Sequence, residues 1–235
     1  MPAKNSQKDY LENGYYHLYN RGVEKRKIFQ DEQDYSVFLS YLKEYLSPKD
    51  TKRLSLQLDN PNLSSKERDK ILRLIKMNNF YNKIDLLCYC LMPNHFHFEI
   101  HQHRRDSIDN FMNSLGTRYT MYFNHKYKRV GSLYQGVYKA VLIKSEYQLL
   151  HLSRYVHLQS LILKPASKGE ALQSWKPKQP SSLPEYLGLR NTSWIKKDEI
   201  LNYFDKTIAK NKLSYDTFIK GNDDFEPIQE IIIES

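Results

Sequence analysis

The segment Met92-Pro93-Asn94-His95-Phe96-His97-Phe98-Glu99-Ile100-His101 alternates imidazole or carboxylate with apolar side chains. A period of two is that of a β-strand, whose successive residues leave on opposite faces. His95, His97, Glu99 and His101 therefore share one face, and Phe96, Phe98 and Ile100 the other. Two imidazoles two residues apart, just past a Met-Pro-Asn turn, can grip one metal ion from the same side of a sheet. The plain alternative is an amphipathic edge strand with hydrated histidines. A second set, His151, Tyr155 and Gln159, falls at i, i+4 and i+8 of a helical pattern whose Leu149, Leu152, Val156 and Leu163 supply a packing face. Burying such a polar stripe without partners costs about 1–3 kcal/mol per group. Packed near the open end of the histidine strand, Gln159 offers a carbonyl oxygen as a third ligand and Tyr155 brings a hydroxyl close to the metal. Otherwise Tyr155 and Gln159 simply hydrogen-bond within an ordinary interface.

The elements that must position these groups follow from the pattern on either side. Tyr15-Tyr16-His17-Leu18-Tyr19-Asn20 is rich in strand formers, and Arg21-Gly22-Val23-Glu24-Lys25-Arg26 is a basic turn. Asp31 or Asp34 opens a helix through Tyr35, Phe38, Leu39, Leu42 and Leu46, which Pro48 ends. Residues 47–82 turn polar and charged, an insertion with one short helix over 65–75. The apolar run 83–91 predicts a buried strand leading into the histidine strand. Asp106 or Ser107 starts a helix bearing Ile108, Phe111, Met112, Leu115, Tyr119 and Tyr122; residues 136–143 form a fourth strand; Ser145 and Gln148 make a capping pattern for a helix over about 146–163. The order is β-α-β-β-α-β, so the fold class is α+β: a ferredoxin-like, RRM-like antiparallel sheet with an appended helix carrying Tyr155. Residues 1–14 are a polar lead-in and 15–166 the main domain. Residues 167–190 form a Pro-rich linker, and 191–235 a small helical C-terminal extension.

With 36 Lys and Arg against 27 Asp and Glu, the net charge of +9 fits a polyanionic partner, nucleic acid before membrane. No apolar run is long enough to span a bilayer and no signal peptide opens the chain, so a cytoplasmic protein is expected. Cys88 and Cys90 fall on one face of a strand, poorly placed for a disulfide, and read as small core residues in a reducing compartment. Without Cys-x-x-Cys pairs, a structural zinc site is not expected.

Four blocks, in order, resemble one family. Leu91-Met92-Pro93-Asn94-His95-Phe96-His97-Phe98 is similar to the HUH signature of the IS200-like Y1 transposases, which are single-strand DNA endonucleases. The segment 17–26 resembles that family's first strand and turn. Gly131-Ser132-Leu133-Tyr134-Gln135-Gly136-Val137-Tyr138-Lys139 and Arg154-Tyr155-Val156-His157-Leu158 resemble its later blocks. The likeness covers about 15–164, and the tail at 181–188 resembles the REP-associated tyrosine transposase branch. That branch carries Asn-Pro where this chain has Gln159-Ser160, a glutamine also found among shorter relatives.

The resemblance implies that His95 and His97 bind metal, that Gln159 helps to hold it, and that Tyr155 is the nucleophile. It implies a divalent ion, Mg²⁺ or Mn²⁺, and a single-stranded, hairpin-containing DNA cleaved and rejoined through a 5′-phosphotyrosine. Short relatives are dimers exchanging the tyrosine helix and the long branch is monomeric, so monomer and homodimer both stay open. Arg21, Lys25, Arg26, Arg118, Lys128 and Arg129 are candidate phosphate contacts, and Tyr127 and Tyr134 candidate stacking platforms for unpaired bases. His17, Glu99, His101, His151 and His157 are candidate supporting groups around the metal. Two readings compete: an RRM-like nucleic-acid-binding module, which needs exposed aromatics on its central strands, and a domesticated hairpin-DNA-binding factor without cleavage.

Overall fold

The computed structural model describes residues 10–161, 178–205, 214–221 and 228–232. Four antiparallel strands form one sheet: β1 (Gly14–Arg21), β2 (Ile84–Met92), β3 (His95–Gln102) and β4 (Lys139–Leu142), in the order β2-β3-β1-β4. With α1 (Glu32–Leu46) between β1 and β2, and α4 (Ser107–Lys126) between β3 and β4, this is the expected split βαβ arrangement. The β1–β3 register sets Tyr19 opposite His97 and His17 opposite Glu99.

The two faces of the sheet bury different chemistry. Phe96, Phe98 and Ile100 point into an aromatic core with Phe38 of α1 and Phe111, Tyr119 and Phe123 of α4. The opposite face, carrying Cys88 and Cys90, packs on Leu149, Leu152, Tyr155 and Val156 of α5 (Glu146–Gln159). Both thiols are free and fully buried. A register shift between Leu86 and Cys88 resets the alternation within β2.

Several expectations change. The fourth strand begins at Lys139 rather than 136, because the regular ladder with β1 runs over residues 139–142, while Gly136 and Val137 are exposed. The insertion holds two helices, α2 (Thr51–Leu58) and α3 (Ser65–Lys76), packed together as a pair. α2 has no buried residue, which is why no hydrophobic pattern announced it; its Asp50 cap accepts from Arg53 N at 2.9 Å. α5 stops at Gln159, where the Ser160 hydroxyl turns back to His157 O at 2.6 Å. Leu163, expected on its packing face, and Pro165 lie outside the described residues, as does 167–177 of the Pro-rich segment.

From Lys178 onward the chain covers the outer edge of β2, which would otherwise expose unpaired backbone groups. Leu91 N donates to Pro180 O at 2.9 Å, Tyr89 N to Ser182 Oγ at 2.9 Å, and Lys196 N to Leu86 O at 2.9 Å. Three short helices follow: α6 (Leu183–Tyr186), α7 (Asp198–Asp205) and α8 (Tyr215–Lys220), of which α6 was not expected. His157 ties this unit to α5, with Nδ1 2.6 Å from Tyr215 Oη and Nε2 2.8 Å from Ser182 Oγ. Among the described residues no helix is long and apolar enough to cross a membrane.

Candidate active site on the histidine strand

The turn before β3 is clamped by the basic turn after β1. Ile28 N and Phe29 N both donate to Pro93 O, at 2.7 and 3.0 Å, and Gly22 N donates to Asn94 O at 2.9 Å. Gly22 is required by the tightness of its own turn, since a Cβ there would collide with Arg26 O. The clamp holds Asn94 so that its Nδ2 donates to Lys25 O at 3.3 Å, turning Oδ1 to His95 Nδ1 at 2.6 Å. An amide oxygen only accepts, so His95 Nδ1 carries a proton.

His97 is oriented by a longer relay. His17 Nδ1 lies 2.7 Å from Ile231 O, and His17 Nε2 lies 2.9 Å from His97 Nδ1. A carbonyl cannot donate, so the His17 proton sits on Nδ1. Complete burial lowers the His17 pKa from its ordinary value to about 4, so the ring is neutral and its Nε2 accepts. His97 must then donate from Nδ1, which places its lone pair on Nε2. The pKa of His97 is itself pushed well down, first by burial and then by the charges of His17, His95 and Arg21. His97 is thus set in the neutral, Nε2-basic tautomer that a divalent ion needs, and His95 turns its Nε2 away from the Nδ1–H that Asn94 holds.

The two rings lie 4.9 Å apart and nearly perpendicular, at 88°. Across from them α5 delivers Tyr155, buried at 5% exposure, whose ring meets that of His97 edge to face at 5.7 Å. Gln159 follows one helical turn on, half-buried at the end of α5. His95, His97 and Tyr155 are therefore drawn together by the packing of α5 on β2 and β3. Glu99 is fully buried on the same face; its Oε2 accepts from the Cys88 thiol at 3.1 Å, and burial raises its pKa well above the usual carboxylate range.

The remaining candidates scatter. Arg21 is paired in register with His95, and the exposed Lys25 lies on the clamp beside it. Arg26 reaches Glu24 at 2.8 Å. Arg118 lies in the α1–α4 layer, bonded to Glu44 at 2.7 Å and stacked 3.7 Å over Tyr41, on the far side of the sheet from α5. Lys128 is exposed in a left-handed turn, with φ of 51°, and Arg129 donates to Asn124 Oδ1 at 3.1 Å. Tyr134 is buried, and Tyr127 donates to Asp34 Oδ2 at 2.8 Å, so neither ring is presented as an open stacking platform. His17 was only one of five supporting candidates. No local signal singled it out, because its partner is 80 residues away.

Residues 60–159 match the family described as transposase IS200 like. Over that region, the chain is similar to the IS200-like transposase family. The matched span contains β2, β3, α4, β4 and α5, and with them His95, His97, Tyr155 and Gln159. Among solved structures the chain is similar to a REP-associated tyrosine transposase bound to a REP hairpin. The identity is 11%, covering 82% of this chain and 97% of that one, with a TM-score of 0.44. It is also similar to a putative transposase from Deinococcus radiodurans R1, with 16% identity over 66% of this chain and 97% of that one and a TM-score of 0.28. No curated protein matches.

Proposed function

We propose that this protein is a transposase that cleaves and rejoins single-stranded, hairpin-containing DNA through a covalent link to Tyr155. The observation that carries the reading is the meeting of the Tyr155 ring with His97, on a face where His97 is held with Nε2 basic and His95 is held through Nδ1 by Asn94. Two imidazoles beside an amide side chain suit Mn²⁺ and tolerate Mg²⁺ when phosphate oxygens and water complete the shell. Bound there, such an ion would polarise the scissile phosphate and stabilise its developing charge.

The chain's own residues supply the rest. Tyr155 Oη attacks phosphorus, forming a tyrosine–phosphate ester on the 5′ side, while the bond to the 3′ oxygen breaks and that oxygen leaves as a hydroxyl. The phenol loses its proton as the ester forms, and the departing oxygen takes one up. Attack by another 3′ hydroxyl reverses these changes and joins new ends without a nucleotide cofactor. Arg21, level with His95, and the neighbouring Lys25 and Arg26 lie where a bound strand's phosphates would need cations. An RRM-like module is less well supported, because His97 and Glu99 on the central strand are buried beneath α5 rather than displayed with aromatics.

The test is an end-labelled single strand from the gene's own flanks, incubated with Mn²⁺ or Mg²⁺ and run on a denaturing protein gel. A labelled adduct is expected for the unaltered chain and none for Tyr155→Phe or His97→Ala. An equal adduct with Tyr155→Phe would assign the nucleophile elsewhere. Tight binding without any adduct would favour a factor that only binds hairpins.

A further inference from the structure

At the other end of β3, about 13 Å along the strand from His97, a second group of ligand-type side chains converges. Asp85 of β2 stands opposite His101 of β3 in the ladder, and His103 follows two residues on. One ligand atom from each of Asp85, His101 and His103 lies within 4.8 Å of the others. His103 Nε2 is 2.7 Å from Asp85 Oδ2, and the two imidazole rings are 4.6 Å apart. The group is half-buried, with side-chain exposures of 14% for both Asp85 and His101 and 33% for His103.

Two further observations point to a ligand. His101 Nδ1 is buried without a hydrogen-bond partner among the described residues, an unusual state for a ring nitrogen. A fourth donor stands beside it: Glu199 of α7, whose Oε2 accepts from Tyr15 Oη at 2.9 Å and remains 3.6 Å from His101 Nδ1. Tyr15 also stacks on His101 at 4.3 Å and 10°, fixing the plane of that ring. In a tetrahedral zinc site with bonds near 2.0 Å, ligand atoms lie about 3.3 Å apart. The Asp85–His103 contact is slightly shorter than that and the His101–Glu199 contact slightly longer.

We infer that Asp85, His101 and His103, with Glu199 beside His101, form a site for a divalent ion of the zinc class, separate from the His95–His97 pair. Two imidazole nitrogens and two carboxylate oxygens are a donor set that zinc accepts and that magnesium, with its preference for oxygen, does not favour. Asp85 comes from β2, His101 from β3, His103 from the bend just past β3 and the neighbouring Glu199 from α7, so the ion joins the sheet to the unit that covers its edge. The expectation of no structural zinc rested on the lack of Cys-x-x-Cys pairs. It missed this site because the ligands come from three elements and only His101 and His103 are close in sequence.

Titrating the metal-free full chain with zinc alone tests the inference, with thermal melting as a second readout. One equivalent should survive His97→Ala and raise Tm by several degrees when zinc is in hundredfold excess over Kd. Asp85→Asn and Glu199→Gln, which preserve shape, should each weaken that equivalent at least tenfold and reduce the gain in Tm. His103→Gln should do the same, and absorption spectroscopy of the zinc complex should report two histidine nitrogens. The inference is overturned if the zinc-bound equivalents vanish with His97→Ala. It is equally overturned if they are indifferent to all three substitutions in variants whose circular dichroism shows them folded.

Discussion

Replacing His17 by Phe tests whether the relay from Ile231 O sets the chemistry of His97. The ring is kept, but the acceptor 2.9 Å from His97 Nδ1 and the donor 2.7 Å from Ile231 O are both removed. His97 is then no longer fixed as the Nδ1–H tautomer, and its Nε2 presents a lone pair only part of the time. Loss of a partner that orients a ligand histidine typically costs 10–100-fold in metal affinity, about 1.4–2.7 kcal/mol. Folding stability should fall as well, by about 1–3 kcal/mol for each buried group left unpaired. The assay is Mn²⁺ titration followed by the paramagnetic resonance of the free ion, in an Asp85→Asn background that silences the second cluster. Measurements are made well below the melting temperature of every variant. His17→Gln, whose amide can both accept from His97 and donate to Ile231 O, should recover part of the affinity. If His17→Phe bound Mn²⁺ as tightly as the parent while His97→Ala did not, the tautomer reasoning would be refuted.

Two further outcomes concern stability. Asp34 is fully buried, yet its carboxylate accepts from Lys126, Tyr122, Tyr127 and Gln30 N at 2.7–3.0 Å. Asp34→Ala leaves these donors facing a cavity and should cost about 3–5 kcal/mol, seen as a lower urea midpoint; a loss under 1 kcal/mol would contradict this account. His157 is buried with its pKa lowered to about 3 by desolvation, so the unfolded chain takes up its proton first as pH falls. Its contribution is fully present above pH ~6.5 and is lost progressively down to pH ~3, so His157→Gln should flatten that limb of the stability–pH curve. An unchanged acid limb in urea unfolding would remove His157 from the explanation.

Much of the site was legible because strand geometry is local. Alternation alone placed His95, His97 and Glu99 on the face opposite Phe96, Phe98 and Ile100, and the structure keeps that division between two cores. The spacing of Tyr155 and Leu152 on α5 was equally readable, since a helix needs only its own sequence to define a face. The limits of β4 were not, because a strand extends only as far as its neighbour offers a regular ladder, and that of β1 spans residues 139–142. Nor was the seating of Pro180 and Ser182 on β2: a Pro- and Ser-rich composition predicts irregular backbone but not the sheet edge whose amides it satisfies.

By itself, then, the sequence determined the element order, the polar face of β3, the helix that carries Tyr155 and the family that this combination resembles. Only tertiary structure decided that His17 meets His97 and that Ile231 O fixes the tautomer of both. It alone brings Asp85 and Glu199 to His101 and His103, and holds Arg118 away on the far layer. The physical reason is range. Periodicity acts over a few residues along one element, whereas a proton's position or a ligand set depends on atoms about 3 Å apart in space that strand register and helix packing bring together.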